Sequence, residues 1–231
     1  MLRQLTKIFR SGEPLQAMGS DFAKMFQITY ETTVRAGEVY FGENVTPDER
    51  TWIYKQDVKV NKLERKIRKR VIFHLALADN SLDLPYCLLL MSLVKDVERL
   101  GDYAKNLSEV VDYHTEPLPA DALVAELLEI RSCVEAAFGS TAGVFEESDM
   151  EGANGLIQEG RDLARRCDRL CENIAHSDHG AGVTTALILG ARFYKRIAGH
   201  VLNVLSSVVM PLHKLDYYDE NAIPPELRTN A

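Results

Sequence analysis

Two carboxylates on one predicted helix are the side chains best placed to do chemistry. Glu98 and Asp102 are four positions apart in a segment whose apolar residues recur every three or four positions, the period of a helix face. On a helix these carboxylates lie one above the other. Gly101 adjoins them, although a glycine inside a helix costs about 1 kcal/mol relative to alanine. We therefore expect a neighbouring helix packed tightly against Gly101, with both carboxylates at the crossing, where helical bundles commonly build metal sites.

Helices must position these carboxylates, and the sequence of the first half of the chain predicts three helices. The clearest start signal is Thr46-Pro47-Asp48-Glu49, in which Thr46 caps the helix, Pro47 is its first residue and Glu49 closes a capping box. Asp83 is predicted to cap the third helix. The apolar periodicity predicts helices from 15 to about 41, from 46 to about 77 and from 84 to about 111.

The second half repeats this plan. Thr115-Glu-Pro-Leu-Pro119 contains two prolines and is predicted to be a linker. Helices follow over about 120–147, 151–175 and 183–212. Setting Arg99 on Arg196 aligns Asn106 with Asn203 and several apolar positions, which indicates an internal duplication. No segment alternates as a strand does, so the predicted fold is all-α, with two tandem three-helix repeats forming side-by-side bundles.

Four parts make up the predicted organisation. They are a short N-terminal amphipathic segment (1–14), a first repeat (15–115), a second, degenerate repeat (116–214) and a C-terminal tail (215–231). The N-terminal segment is too short for a stable isolated helix. We expect it to dock on the body of the protein or on a partner, with a membrane surface as the less favoured alternative.

Composition and motifs exclude several functional classes. The chain has 231 residues and a net charge of −7, which argues against non-specific nucleic-acid binding. No apolar run approaches the ~20 residues that span a bilayer, and no secretory signal is present. Phosphate-loop, dinucleotide-binding and nucleophile-elbow motifs are missing, so we expect no enzyme. All four cysteines fall in predicted helices, as expected of free thiols in a reducing cytoplasm.

The segment around the two carboxylates resembles a known family. Glu98-Arg-Leu-Gly-Asp102-Tyr-Ala-Lys-Asn106 is similar to the signature of the PhoU family of bacterial phosphate-uptake regulators, roughly E-R-I-G/A-D-H-A-x-N. That family carries a second acidic motif one helix earlier, which Asp57-Val-Lys-Val-Asn61-Lys-Leu63 resembles. Because PhoU proteins consist of two three-helix repeats, the resemblance covers most of the chain.

This resemblance implies a metal site in the first repeat. PhoU proteins hold metal clusters with such motifs, and the matching positions here are Asp57, Asn61, Glu98 and Asp102. Carboxylate and amide oxygens suit iron, manganese, magnesium or zinc, of which iron or zinc is expected. The alternative is a solvated acidic face, or carboxylates paired with nearby lysines (Lys59, Lys62 and Lys95).

The resemblance also implies a function. We expect a non-enzymatic cytoplasmic regulator of phosphate uptake and phosphate signalling, with a membrane phosphate transporter and a sensor kinase as partners. A second copy of the chain is a further candidate partner. The alternatives are a metal-free helical adaptor and a bundle-type di-metal oxidase or hydrolase, although the oxidase requires a Glu-x-x-His pair that the sequence lacks.

The second repeat departs from the family pattern. Lys195 and Gly199 stand where the family has its glutamate and aspartate, and Ala164 stands where Asp57 would be, so only Asp168 remains. A lysine at a ligand position repels a cation. We therefore expect this repeat to have lost its metal cluster.

Two other groups of residues are weaker candidates. Cys167 and Cys171, with His176 and His179 downstream, suggest a zinc site, but core packing of the cysteines is the preferred interpretation. The basic run Arg65-Lys-Ile-Arg-Lys-Arg70 is interpreted as the solvated end of a long helix, with docking of an anionic partner surface as the minor alternative.

Overall fold

The computed structural model describes residues 13–43, 46–77, 80–114 and 117–216. Helices dominate these residues and no strand occurs among them, which confirms the all-α prediction. The helices are α1 (Glu13–Tyr40), α2 (Pro47–Ala76), α3 (Leu84–Glu109), α4 (Ala122–Glu147), α5 (Met150–Ala175) and α6 (Ala181–Val209), with 3-10 turns at Asn80–Asp83, Val110–Tyr113 and Leu212–Lys214. Observed and predicted ends agree to within about three residues. Nearly all of the predicted N-terminal segment and tail lies outside the described residues.

The start of α2 is capped as predicted, but two details of the predicted helix starts are wrong. The Thr46 hydroxyl accepts a hydrogen bond from the Glu49 amide at 3.2 Å. The Glu49 carboxylate does not close a capping box, because it accepts two hydrogen bonds from Arg35 at 2.7 and 2.9 Å. Asp83 precedes α3 without a side-chain cap bond, since its backbone is helical and its carboxylate lies 2.7 Å from His74 Nε2.

The last helix of each repeat lies at the centre of the fold. α3 packs against α1 and α2, α6 packs against α4 and α5, and α3 and α6 pack against each other. α3 and α6, which form the seam between the repeats, bury mostly apolar residues, among them Val97, Leu100, Ile197 and Val201. Because this seam belongs to both bundles, one continuous core joins the two repeats.

The prediction of a tight crossing at Gly101 is wrong. A Cβ atom at this position would lie 3.6 Å from both Thr29 Cγ2 and Val60 Cγ1, which is ordinary van der Waals contact. The space beside Gly101 therefore admits an alanine. Helix periodicity identified the buried face correctly, but the distance between the helices there is set by side chains from other parts of the chain.

A true close approach occurs at Gly190 on α6. The ring of Tyr40 crosses the helix there, and a Cβ atom on Gly190 would lie 2.5 Å from Tyr40 Cζ. Tyr40 is buried, and its hydroxyl donates to the Ala186 carbonyl oxygen at 3.1 Å. The ring is therefore held in place by packing and by a buried hydrogen bond to the other repeat.

These two glycines make a matched pair for a stability measurement. We expect Gly190→Ala to lower the free energy of unfolding by about 1–3 kcal/mol, because the methyl group displaces the buried Tyr40 ring. Gly101→Ala is expected to leave stability unchanged or to raise it by up to about 1 kcal/mol, through the higher helix propensity of alanine. Urea unfolding followed by circular dichroism measures both, and a larger loss in Gly101→Ala would contradict the described packing.

Candidate functional site: an acidic cluster between α2 and α3

Three of the four predicted site residues come together where α2 faces α3. Lys105 Nζ lies 3.3 Å from Asp57 Oδ2 and 3.4 Å from Asp102 Oδ1. Asn61 follows Asp57 by one helical turn and donates from Nδ2 to Asp57 Oδ2 at 3.4 Å. The two aspartates therefore converge on one cationic group, which is the ammonium of a lysine.

The fourth predicted residue, Glu98, has its own partners. Lys95 Nζ donates to Glu98 Oε2 at 2.6 Å, and Arg99 Nε lies 3.9 Å from the same oxygen. Arg99 Nη1 also approaches Asp102 Oδ2, at 3.7 Å. Lys95, Arg99 and Lys105 thus lie within ion-pair distance of the three carboxylates. The Glu98–Lys95 pair is one of the lysine pairings named above as the alternative to a metal site. Within the described ranges, no three His, Cys, Asp or Glu side chains are arranged to hold a metal ion.

Lys105 is the residue of this cluster that the sequence interpretation missed. Burial lowers the pKa of Lys105, but the charges and hydrogen bonds of Asp57 and Asp102 outweigh burial and raise the pKa above its usual value. The ammonium therefore stays charged and links α2 to α3. Its position three residues after Asp102, on the same helix face, was the signal available in the sequence.

The corresponding region of the second repeat contains an ion pair. Lys195 Nζ donates to both carboxylate oxygens of Asp168, at 2.6 and 2.5 Å. Arg192 Nη1 lies 3.4 Å from Asp168 Oδ1. The single carboxylate left in this repeat is thus bound by cations of the chain itself.

The cysteine and histidine residues of α5 and the following turn do not converge. Cys167 is fully buried in the core, as preferred from the sequence, and Cys171 is partly buried. His176 Nδ1 lies 2.8 Å from the Glu172 carbonyl oxygen. His179 Nε2 lies 2.9 Å from Asp121 Oδ2, at the start of α4. Each histidine is thus engaged away from the cysteines.

A buried polar cluster at the α3–α6 seam was also missed. Asp96 is only 8% exposed, and its Oδ1 atom accepts a hydrogen bond from Asn203 Nδ2 at 2.7 Å. The same oxygen lies 2.8 Å from His200 Nδ1. Asp96 falls on the face of α3 that Leu93 and Leu100 define, so a carboxylate on an apolar face was the signal in the sequence.

The residues of this cluster and their neighbours occupy equivalent positions in the two repeats. Superposing Arg99 on Arg196 also pairs Tyr103 with His200 and Asp96 with Phe193. The rings of Tyr103 and His200 stack with their centroids 5.6 Å apart. Each ring also contacts a residue of the other repeat: Phe193 lies against Tyr103, and Asp96 lies against His200. The two repeats therefore meet through equivalent positions, as expected of a duplicated bundle.

Fold and cluster together define a duplicated helical-bundle protein whose carboxylates face each other on the last two helices of the first repeat. Residues 22–111, from α1 to the turn that follows α3, match the sequence model of the PhoU domain. Residues 22–111 therefore form a PhoU domain, which confirms the family resemblance of the first repeat.

Solved structures extend this similarity to the second repeat. The phosphate transport system regulatory protein PhoU of Streptococcus pneumoniae is 17% identical, with a TM-score of 0.76 over 88% of this chain and 97% of that one. PhoU of Pseudomonas aeruginosa is 18% identical, with a TM-score of 0.76 over 87% of this chain and 97% of that one. These likenesses show a shared fold. A search of curated proteins found no match. None of the described helices has both the length and the apolar character of a membrane span.

Thiol chemistry tests how the cysteines are placed. We expect Cys133, which is exposed, to be the first thiol modified by a disulfide reagent in the native protein. Burial raises the pKa of Cys87 to about 11 and that of Cys167 to about 12, so these thiols should react only on unfolding. Mass spectrometry of the labelled peptides gives the order. A chelator that exposes Cys167 to the reagent would instead support a zinc site.

Proposed function

We propose that this protein is a cytoplasmic regulator of phosphate transport that acts by binding other proteins rather than by catalysis. The observation that carries the proposal is the combination of a PhoU domain in the first repeat with the PhoU fold over 88% of the chain. The proposed partners are a membrane phosphate transporter and a sensor kinase of the phosphate response. Long exposed helix faces suit such a role, because they offer contact surface to another protein.

Removal of the protein from its cell tests this proposal. We expect the deletion strain to lose the normal dependence of phosphate uptake, and of a phosphate-starvation reporter, on external phosphate. Re-expression of the wild-type chain should restore both responses. Purified protein should also bind the cytoplasmic subunits of the transporter and of the kinase in biolayer interferometry. Unchanged responses in the deletion strain together with no binding would refute the proposal.

We also propose a cation site between α2 and α3 that exchanges the Lys105 ammonium for a metal ion. Support comes from the convergence of Asp57 and Asp102 on one positive charge, with the Asn61 side chain beside them. Lys105 is a flexible, partly exposed side chain, so it can leave without disturbing the core. Glu98 is one helical turn from Asp102, and its carboxylate can join the metal ligands when its ion pair with Lys95 opens.

The donor set bears on which metal this site would take. Carboxylate and amide oxygens suit hard cations, whereas structural zinc sites usually contain cysteine or histidine ligands. Iron is therefore expected ahead of zinc. A metal ion there would hold α2 against α3, as Lys105 does in the described structure, with a higher charge between the same two carboxylates.

Elemental analysis of purified variants, after incubation with metal and desalting, tests the exchange. Lys105→Met is expected to raise the metal content above that of the wild type, because it removes the competing charge. Asp57→Asn/Asp102→Asn should abolish binding, because it removes both carboxylates from the ligand set.

Asp168→Asn, in the second repeat, serves as the control for this measurement and should behave as the wild type. If the wild type and Lys105→Met both remain empty, the metal site is refuted and the protein is a metal-free helical adaptor. The result of the partner-binding assay does not depend on the metal content, so the regulatory proposal is tested separately.

A further inference from the structure

The corner between α2 and α3 exposes a concentration of large apolar side chains. Of the eleven exposed large apolar residues among those described, six fall between positions 72 and 88, and Leu82, on the 3-10 turn, is 92% exposed. We call this group the apolar corner; its members are Ile72, Phe73, Leu77, Leu82, Leu84 and Leu88. The contact of His74 with Asp83 ties the end of α2 to the turn, so the corner has a defined shape. Apolar groups concentrated in this way mark a contact with another molecule.

A basic band adjoins the apolar corner on α2. Between positions 62 and 74 the chain has six lysines and arginines but one acidic residue, in a protein whose net charge is −7. Lys66 and Arg70 bind Asp21 on α1. Lys62, Arg65 and Lys69, which form the basic band, are exposed and have no carboxylate within ion-pair distance in the described part of the chain.

The basic band lines up with two residues of the apolar corner, Phe73 on α2 and Leu77 at the C-terminal cap of α2. Lys62, Arg65, Lys69, Phe73 and Leu77 follow one another at intervals of three or four residues, which keeps them on one stripe of the helix. Each of these five residues is exposed. Lys69 Nζ lies 5.8 Å from the centroid of the Phe73 ring, where the charged part of the stripe meets its apolar part.

The first turns of α1 lie at the same end of the molecule. Arg70 Nη1 donates to the Ala17 carbonyl oxygen, which places the first turns of α1 beside the last turns of α2. In sequence, residues 1–12 contain three basic residues and no acidic one. The sequence that precedes α1 is therefore basic as well, in a protein whose net charge is −7.

We propose that the apolar corner and the basic band bind the surface of a bilayer that contains anionic lipids. The corner carries leucine, isoleucine and phenylalanine, which suits insertion into a deformable apolar phase. Protein interfaces instead concentrate their binding energy in tryptophan, tyrosine and arginine seated in pockets. The three unpaired cations complement anionic headgroups, and each basic side chain near such a surface contributes to binding. This proposal goes beyond the regulatory function and does not depend on it.

Vesicle flotation with the full-length protein tests the proposal. We expect binding to vesicles of phosphatidylcholine and phosphatidylglycerol in equal amounts, weak binding to phosphatidylcholine alone, and release by high salt. Phe73→Ser/Leu82→Ser should weaken binding by about tenfold or more, because two apolar side chains no longer insert. Lys62→Glu/Lys69→Glu should weaken it by a similar factor, about tenfold or more, through charge repulsion.

Two matched controls keep the test specific. Leu128→Ser/Met150→Ser replaces exposed apolar residues on other helices, and Lys55→Glu reverses an exposed charge near the opposite end of α2. Both should bind vesicles as the wild type does. Circular dichroism checks that every variant is folded, and all substituted side chains are exposed, so folding should persist.

Three results would overturn the proposal. The first is no binding of the wild type to the mixed vesicles. The second is that Phe73→Ser/Leu82→Ser and Lys62→Glu/Lys69→Glu both bind the mixed vesicles as well as the wild type does. The third is a wild-type dimer in light scattering that Phe73→Ser/Leu82→Ser dissolves while vesicle binding is unchanged, which would assign the corner to contact between two copies of the chain.

Discussion

The Asp96 carboxylate is the constraint on which the arrangement of the two repeats depends. An ionised carboxylate in a nearly closed environment is costly unless hydrogen-bond donors surround it. Asp96 belongs to α3, whereas Asn203 and His200 belong to α6, so the first repeat obtains these partners only from the second. Apolar packing alone tolerates sliding of one helix along another. The polar contact selects one register for α3 on α6, and this register sets the relation of the two bundles.

Most of the fold was predictable because helix periodicity is a local property. The helix ends followed from residues close together in the sequence. The cluster around Asp57 and Asp102 was located through a motif resemblance, and Lys105 was overlooked although it lies three residues from Asp102. The seam contacts of Asp96 and the role of Gly190 were not predictable in this way, because their partners, His200 and Tyr40, come from the other repeat.

The two repeats use the same kind of interaction to join their second and third helices. In the first repeat Lys105 of α3 reaches Asp57 of α2, and in the second Lys195 of α6 reaches Asp168 of α5. The lysines do not occupy equivalent positions when Arg99 is set on Arg196. Both repeats therefore join these helices by charge, although different positions supply the charge. Among the described residues, two carboxylates share one lysine in the first repeat and not in the second, which is why the cation site is proposed there.

The hydrogen bond from Tyr40 to Ala186 has a consequence for synthesis of the protein on the ribosome. Tyr40 ends the first helix, yet its hydroxyl is satisfied by a carbonyl group of the last one. A nascent chain that has completed α1 to α3 still exposes the apolar face of α3 and leaves the Asp96 carboxylate without its donors. The first repeat can become helical early, since helices form from local contacts, but its packing is completed only after α6 has emerged. The two repeats therefore mature as a single folding unit.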